Sequence, residues 1–394
     1  MSIIIFGDLF TFPEGKAATN RVYTYAKGFY ENGINVHVIS FENEYLTVND
    51  GIIDGINFYH PYGQEQRNKY FINRRFKKLI KYFKAIKLIK RISRKEKIIA
   101  INIWTNLLST YLFAWLLAKI SNTKLIIECS EHPLRNYQTT SLIKKIGILK
   151  FYIESKLCDG VFCISQFLID FHKNHQVNQR KLFLVPSTVD PVRFSQNGKS
   201  PFPHQYIGYF GGLTFERDNI DSLISAFDNV CISHPEVHLI LGGFCSEKVK
   251  KQIKNLISQL KMPSKVHLLE YLTRQEVTRY IINADILIMV RANDLKAQAS
   301  FPSKLTEFLA TSKPVVTVNV GEISDYLTDG VNAYIVEPEN SISLGKKLNY
   351  VLNNYELAKN VGLKGKELTD TIFNYNYQAK RMIGFINSLY IKKY

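Results

Sequence analysis

The chain has 394 residues, of which 46% are hydrophobic and 22% charged, and its net charge is +17. A chain of this length is too long for one ordinary core and predicts two domains, and the composition predicts a soluble globular protein. The start, MSIIIFGDLF, lacks a basic leader and predicts a first strand, and the apolar window 107–120 is too short for a bilayer and predicts a core helix. Five scattered cysteines without metal-type spacing are typical of reduced thiols in a cytoplasmic protein.

Strand and helix patterns alternate through the first half. A helix is predicted from Ala18 to Asn32, and strands are predicted at Ser2–Phe6, Ile34–Ser40, Ile56–Tyr59, Ile98–Ile101, Lys124–Glu128, Gly160–Ile164 and Lys181–Val185. This alternation predicts a mostly parallel sheet covered on both faces. Ligands of such sheets bind beyond the carboxyl ends of the strands, so the loops at 13–21 and 128–135 are candidate binding loops.

The first loop carries PEGKAATNR, in which Gly15 lets the backbone approach a ligand closely. Lys16, Asn20 and Arg21 are candidates to face an acceptor. One glycine in a turn is a weak signal, and an ordinary turn is the alternative interpretation.

The second loop, IIECSEHPLRN, places Glu128, Glu131 and His132 after a buried strand. A carboxylate beside an imidazole can hold or shuttle a proton near neutral pH, so Glu131 and His132 are candidate catalytic residues. A simple turn histidine before proline is the alternative.

Basic residues are concentrated between Arg67 and Lys97, where fourteen Lys or Arg face one acid, Glu96. This segment therefore carries +13 of the net charge, and aromatic and aliphatic residues recur through it at helical spacing. Such an amphipathic helix suits an anionic membrane surface. A solvated helix face is one alternative, and a nucleic-acid contact is another, although no recognised nucleic-acid module accompanies the segment.

The second half repeats the alternation, with a helix predicted at Asn219–Cys231 and strands at Tyr206–Phe210, His238–Leu241, Val266–Leu269, Asp285–Val290, Pro314–Val318 and Ala333–Val336. Arg291 directly follows a predicted strand and is a candidate phosphate ligand, with a surface arginine as the alternative. The stretch 300–320, SFPSKLTEFLATSKPVVTVNV, predicts a loop, a short helix beginning near Pro302, and a buried strand. The helix start at Ser303 and Lys304 suits a phosphate, and Glu307 suits vicinal hydroxyls.

FPSKLTEFLATSKPVV resembles the nucleotide-sugar signature of the GT-B glycosyltransferases of family 4. Glu307 matches the second signature glutamate, which holds the ribose in that family, while Ala299 occupies the position of the first. An ordinary helix and strand unit is the alternative interpretation of this stretch. Ser303, Lys304 and Leu305 are expected donor-binding residues by the same match.

Further segments resemble the same family. IGYFGGLTFERDNIDSLISAF is similar to its phosphate loop with Gly211, where Arg217 fills the lysine position and Gly212 replaces an arginine. LGGFCSE is similar to the turn in which Gly243 admits the nucleotide, and LLEYLTRQEV to the stretch that reads the base near Tyr271. The Gly15 loop resembles the family's N-terminal glycine loop, whose backbone approaches the donor phosphates or the transferred sugar. The loop with Glu131 and His132 is similar to the one that places an acidic residue or a histidine near that sugar.

The resemblance implies an α/β fold of the GT-B type, with two Rossmann-like domains facing across a cleft. The implied acceptor domain is residues 1–195, the implied nucleotide-sugar domain is 196–370, and the helix at 371–394 is expected to cross back to the first domain. The implied chemistry is sugar transfer with retention and without a metal or other cofactor. His132, Glu131, Arg217 and Arg291 are the expected catalytic residues.

The implied enzyme is a hexosyl- or N-acetylhexosaminyltransferase of polysaccharide assembly, such as that of a capsule or lipopolysaccharide. We expect a UDP-sugar donor in preference to a GDP-sugar, a lipid-linked or growing saccharide acceptor, no nucleic acid, and a cytoplasmic location at the inner face of the membrane. Two alternatives are a sugar-nucleotide epimerase or hydrolase, and a non-catalytic accessory subunit. The last draws on Ala299 and Gly212, since each removes an expected ligand-binding side chain.

Overall fold

A computed structural model describes residues 1–15, 17–42, 50–63, 71–134, 141–195, 198–269 and 272–391. The chain divides into two compact units, of which unit 1 comprises Met1–Thr188 with Tyr375–Tyr394 and unit 2 comprises Val189–Asn374. The sequence predicted the division within the polar segment after residue 195. The structure places it earlier, because Val189 pairs with Asn374 and its amide donates to the carbonyl of Phe373.

Unit 1 is built on one sheet. Its strands are β1 (Ser2–Gly7), β2 (Asn35–Ser40), β3 (Gly51–Ile53), β4 (Ile56–Tyr59), β5 (Ile98–Trp104), β6 (Lys124–Cys129), β7 (Gly160–Cys163) and β8 (Leu182–Leu184). They lie in the order β3-β4-β2-β1-β5-β6-β7-β8, and all neighbours are parallel except β3 with β4. The predicted strands of this half are confirmed to within a few residues, and the short antiparallel β3 was not predicted.

Helices cover both faces of this sheet. They are α1 (Ala17–Glu31), α2 (Phe71–Lys95), α3 (Leu108–Ile120), α4 (Ser141–Leu157), α5 (Gln166–Asn174) and, from the end of the chain, α15 (Tyr375–Ser388). The core on one face includes Val22, Tyr25 and Phe29 of α1 with Ala379, Met382 and Ile386 of α15. The core on the other face includes Ala85, Ile89 and Ile92 of α2 with Tyr111, Ala114 and Leu117 of α3.

Unit 2 contains a parallel sheet with strands β9 (Tyr206–Phe210), β10 (His238–Gly242), β11 (Val266–Leu269), β12 (Ile286–Met289), β13 (Val315–Val318) and β14 (Tyr334–Val336). Their order is β11-β10-β9-β12-β13-β14, so the chain reverses direction between β9 and β12. The helices of unit 2 are α6 (Phe215–Asp218), α7 (Ile220–Ser233), α8 (Glu247–Ser258), α9 (Arg274–Asn283), α10 (Leu295–Ala299), α11 (Ser303–Leu309), α12 (Ile323–Tyr326), α13 (Ser341–Asn353) and α14 (Tyr355–Asp370).

The basic segment forms α2 as predicted from its periodicity, although residues 64–70 lie outside the described part of the chain. Ala85, Ile89 and Ile92 face the core, whereas Phe76 and Phe83 are exposed, and Lys84 next to Phe83 is exposed as well. No helix in the described residues is both long and apolar enough to cross a membrane.

Candidate functional site

The reversal of strand order in unit 2 brings glycine loops together. Because β9 lies between β10 and β12, the loops that leave these strands gather at one edge of the sheet. The amide of Gly211 donates to the carbonyl of Gly242 over 3.0 Å. At Gly243 φ is +156°, and a Cβ there would overlap the carbonyl oxygen of Gly211. The predicted glycines Gly211 and Gly243 are therefore adjacent in space, and their backbones form one rim.

Two predicted cationic residues lie at this rim. The amide of Ala292, next to Arg291, donates to the carbonyl of Arg217 over 2.9 Å, so the loops after β9 and β12 are joined. Arg217 is exposed, whereas Arg291 is buried and its Nη2 donates to Ser300 Oγ over 3.1 Å. Burial and the charge of Arg217 lower the pKa of Arg291, although Asp218 opposes this. Two arginines held this close favour a bound anion, because an anion offsets their mutual repulsion.

Gly212, which stands at an expected arginine position, lies beside a buried acid. A Cβ at Gly212 would lie 2.9 Å from Asp218 Oδ2, and the Gly212 carbonyl accepts a hydrogen bond from Tyr209 Oη at 2.8 Å. Asp218 Oδ2 also accepts from Thr214 Oγ1 at 2.7 Å, and burial raises the pKa of Asp218. A side chain larger than glycine would therefore crowd Asp218 at this position.

Glu307 is a buried carboxylate within a group of cations. Its Oε2 lies 2.7 Å from Lys304 Nζ, and its Oε1 lies 3.8 Å from Arg193 Nη1. Burial alone would raise the pKa of Glu307, but Lys304, Arg193 and Arg274 together lower it below its ordinary value. Glu307 is therefore ionised at neutral pH and can accept hydrogen bonds from hydroxyl groups, while the surrounding cations suit phosphate oxygens.

The other residues predicted around Glu307 have different environments. Ser303 begins α11 and is half-buried, whereas Leu305 is fully buried with its amide donating to the carbonyl of Pro302. The structure thus gives the Leu305 side chain a packing position. Ala299, at the place of the first signature glutamate, is fully buried at the end of α10. Tyr271 lies outside the described residues.

In unit 1, His132 and Glu131 follow β6. His132 is buried, and its ring packs edge-on against Phe171 with centroids 4.6 Å apart. The His132 Nδ1 accepts a hydrogen bond from the amide of Leu134 at 3.2 Å, so the proton of the neutral ring is on Nε2. Burial and the neighbouring His175 lower the pKa of His132, which keeps the ring neutral at pH 7. Glu131 is exposed. The neutral imidazole of His132 can therefore act as a hydrogen-bond donor through Nε2.

The Gly15 loop is compact. The Thr19 hydroxyl donates to the carbonyl of Thr11 over 2.7 Å, and a Cβ at Gly15 would overlap both threonine hydroxyls. Glycine is therefore required by packing within the loop itself. The neighbouring Lys16 lies outside the described residues.

The expectation that Arg21 faces an acceptor is wrong. Arg21 is buried, with its Nε 2.8 Å from Glu128 Oε1 and its two terminal nitrogens donating to the carbonyls of Val185 and Pro186. Burial raises the pKa of Glu128 while Arg21 opposes this shift. The Nε, Nη1 and Nη2 groups of Arg21 all have partners within unit 1, so Arg21 connects α1 to the segment after β8.

Two members of the Glu307 group were not predicted from the sequence. Arg193 lies in the turn Pro191–Phe194, where its Nη2 donates to Thr278 Oγ1 over 2.7 Å, and Arg274 begins α9. The motif around Glu307 contains neither residue, and no spacing links them to it. These two arginines come close to the Glu307 carboxylate only when the turn Pro191–Phe194 and the start of α9 fold next to α11.

Two parallel-sheet units of this construction define the GT-B class of fold. Among the described residues, no group of three or more His, Cys, Asp or Glu side chains is placed to hold a metal ion. Residues 194–368, which contain Arg217, Arg291 and Glu307, match the model of the family "Glycosyl transferases group 1". The matched residues span most of unit 2, and the GT-B fold agrees with this match.

Several known proteins are similar to this chain. An uncharacterized glycosyltransferase of Methanocaldococcus jannaschii is 23% identical over 241 residues, which cover 60% of this chain and 63% of that protein. The sucrose-phosphate synthase of Thermosynechococcus elongatus has a TM-score of 0.75 at 15% identity and covers 99% of each chain. Anabaena HepE in complex with UDP-glucose has a TM-score of 0.72 at 14% identity, covering 98% of this chain and all of the other. The likeness to the solved structures establishes the fold.

Proposed function

We propose that this protein is a retaining, metal-independent glycosyltransferase that moves a hexose or N-acetylhexosamine from a UDP-sugar to a saccharide acceptor. The observation that carries the proposal is the ionised Glu307 between Lys304 and Arg193, within the region that matches the glycosyl transferases group 1 model. A buried carboxylate among cations suits a ligand that offers hydroxyls and phosphates together. A nucleoside diphosphate sugar has this chemistry, and HepE was crystallised with UDP-glucose.

In this proposal unit 2 binds the donor. Glu307 accepts hydrogen bonds from the ribose hydroxyls, and Arg217 and Arg291 bind the diphosphate. Negative charge grows on the diphosphate as the glycosidic bond breaks, so preorganised arginines stabilise the transition state more than the ground state. The buried Arg291 is held by Ser300 and contributes a fixed charge, while the exposed Arg217 adds a second one.

Unit 1 binds the acceptor in the same proposal. The neutral His132 donates from Nε2 to an oxygen of the transferred sugar or the acceptor, and Glu131 orients the acceptor hydroxyl. The acceptor is lipid-linked and belongs to a cell-surface polysaccharide, because the basic α2 with exposed Phe76 and Phe83 suits an anionic membrane. The protein then works at the inner face of the cell membrane.

The test of the donor site is thermal unfolding of the purified protein with UDP, GDP, CMP or dTDP, and of Glu307→Gln alongside. Saturating UDP at about one hundred times its Kd stabilises a protein by roughly 2.7 kcal/mol, and we expect that rise in Tm to disappear in the variant. A protein that responds to none of the nucleotides would contradict the proposal and favour the accessory subunit, for which Ala299 and Gly212 are the supporting residues.

The test of the chemistry is turnover of UDP-sugars with and without a lipid-linked saccharide. We expect acceptor-dependent release of UDP that EDTA leaves unchanged, and a product whose anomeric configuration matches the donor by NMR. Conversion of the donor at the same rate without acceptor would instead indicate an epimerase or hydrolase.

A further inference from the structure

The helices α2, α3 and α4 form one layer on the same face of the unit 1 sheet. Tyr82 of α2 packs edge-on against Phe113 of α3 with ring centroids 4.7 Å apart, and Tyr111 of α3 donates through Oη to the carbonyl of Glu154 in α4 over 2.8 Å. We call the side of this layer that faces away from the sheet the three-helix face. Its composition differs from that of an ordinary solvated surface.

Apolar residues line the outward side of α4. Leu142, Ile146 and Leu149 recur at helical spacing and are 69%, 53% and 61% exposed. The buried residue Phe151 and the half-buried Glu154 lie on the opposite side of the helix. A helix on a soluble surface normally presents polar residues to the solvent. In α4, a row of apolar residues faces the solvent instead.

The same reversal occurs on α3. Leu112, Leu116 and Ile120 are exposed at a spacing of four residues, while Tyr111, Ala114 and Leu117 fill the core. On α2, Phe76, Leu79 and Phe83 are exposed as well. Three neighbouring helices thus expose apolar rows on one surface, and contiguous exposed apolar surface of this kind marks an interaction site.

Charge identifies the partner of this surface. The sequences of the three helices contain sixteen Lys or Arg and a single acid, so they carry +15 of the chain's net charge of +17. The single acid, Glu154, pairs with Lys150 at 2.8 Å. Lys145 and Lys156 are exposed beside the apolar row of α4. Apolar rows bordered by exposed cations suit a bilayer with anionic headgroups, whereas a protein partner would need a matching acidic surface of its own.

We propose that the three-helix face as a whole is the membrane-docking surface, and that the outward rows of α3 and α4 enter the acyl boundary of an anionic bilayer. The lysines of α4 and the basic residues of α2 then lie at the headgroups. The location has a functional consequence, which rests on the proposed function. A helix that follows a parallel strand begins at the carboxyl edge of the sheet, so the start of α4 lies at the edge where Glu131 and His132 follow β6. A lipid-linked acceptor would meet these residues at the membrane surface.

The experiment is flotation of the full chain with vesicles of phosphatidylcholine and phosphatidylglycerol, and with vesicles of phosphatidylcholine alone. The apolar variant is Ile146→Ser with Leu149→Ser, and the charge variant is Lys145→Glu with Lys156→Glu. We expect each to lower partition into the anionic vesicles roughly tenfold or more, and the unmodified chain to bind neutral vesicles far more weakly.

Matched controls come from unit 2. Leu357→Ser with Leu363→Ser changes two comparably exposed leucines of α14, and Lys251→Glu with Lys254→Glu changes two exposed lysines of α8. These controls should bind vesicles as the unmodified chain does. Because the substituted residues of α4 are exposed, the Tm of each variant should stay close to that of the unmodified chain, and a variant with a lower Tm is replaced by Leu142→Ser.

Three outcomes would overturn the inference. They are full vesicle binding by both α4 variants, loss of binding only in Phe76→Ser with Phe83→Ser on α2, and a self-association measured by sedimentation that the α4 variants abolish. The rise of Tm with UDP separates this inference from the proposed function. If the α4 variants still bind vesicles fully and UDP still raises the Tm, only the docking surface is refuted. If the α4 variants lose vesicle binding as expected but UDP does not raise the Tm, only the donor site is refuted.

Discussion

Arg193 Nη1 lies 3.8 Å from Glu307 Oε1, although the two residues belong to segments far apart in the sequence. Arg193 is itself fixed by Thr278, so it sets the position of the carboxylate from one side while Lys304 sets it from the other. Glu307 is held between them before any ligand binds.

We therefore expect Arg193→Gln to weaken UDP binding about tenfold, because the buried carboxylate of Glu307 loses one of the charged partners that hold it in position. Calorimetric titration with UDP and with 2′,3′-dideoxy-UDP measures the effect. The loss should be much smaller for the dideoxy ligand, because that ligand does not use Glu307, and Arg193→Lys should restore part of the affinity. An equal loss for both ligands would contradict a positioning role.

The contact of Gly243 with Gly211 makes the donor-side rim sensitive to a single methyl group. Gly243→Ala should lower the stability of unit 2 by about 1–3 kcal/mol, because the Cβ would overlap the carbonyl of Gly211 and the backbone has a positive φ. Thermal unfolding measures the change. Gly198→Ala is the control, since a Cβ at Gly198 has nothing within 4 Å. Equal Tm values for the two variants would show that the rim is not packed as described.

The buried pair of Arg21 and Glu128 predicts a large effect in unit 1. Glu128→Ala would leave a buried guanidinium without its carboxylate and should cost roughly 3–5 kcal/mol in the free energy of unfolding. The control is Glu356→Ala, which removes an exposed partner 2.7 Å from Lys359 and should change stability by about 0.5 kcal/mol or less. Urea denaturation of both variants distinguishes them, and a small loss in Glu128→Ala would contradict the described burial.

A histidine cluster in unit 2 predicts acid sensitivity. His238 Nδ1 lies 2.8 Å from His267 Nε2, the ring of His204 stacks on His238 at 4.5 Å, and Lys265 Nζ lies 3.4 Å from His238 Nε2. Burial, followed by the charges of Lys265, His267 and His204, lowers the pKa of His238 from 6.5 to about 4. Between these pH values the unfolded chain binds a proton that the folded chain does not. The free energy of unfolding therefore falls as pH drops from 6.5 toward 4 and is level above 6.5 with respect to this group.

His238→Asn should reduce the decline of Tm across this pH range, while His234→Asn, which removes a histidine beside Glu236, should not. The decline will not vanish, because burial also lowers the pKa of His172 in unit 1 to about 4. An unchanged pH profile in His238→Asn would show that protonation of the cluster does not limit stability in acid.

The sequence predicts well what local periodicity controls. The strands of both sheets follow from apolar runs, and Glu307 follows from a motif within one helix. The short β3 was missed because three residues, Gly51–Ile53, carry too little pattern to mark an edge strand.

Contacts between distant segments could not be predicted. From the sequence, Arg21 is a candidate loop residue with a free cation. Its partners, Glu128 and the carbonyls after β8, come next to it only in the folded sheet. The orientation of α4 was hidden for a related reason. Apolar residues lie on both sides of this helix, so its pattern does not reveal which side faces the core and which side faces outward.

The position of α15 also affects how the protein is synthesised. Unit 2 is one continuous segment, whereas unit 1 is completed by residues from the end of the chain. Gly28 of α1 packs so closely on α15 that an added Cβ would lie 2.6 Å from the Cβ of Ala379. On the ribosome, all of unit 2 emerges before this groove of α1 can be filled. Unit 1 is therefore completed only after unit 2 has been synthesised, and the apolar groove of α1 stays unfilled until α15 emerges.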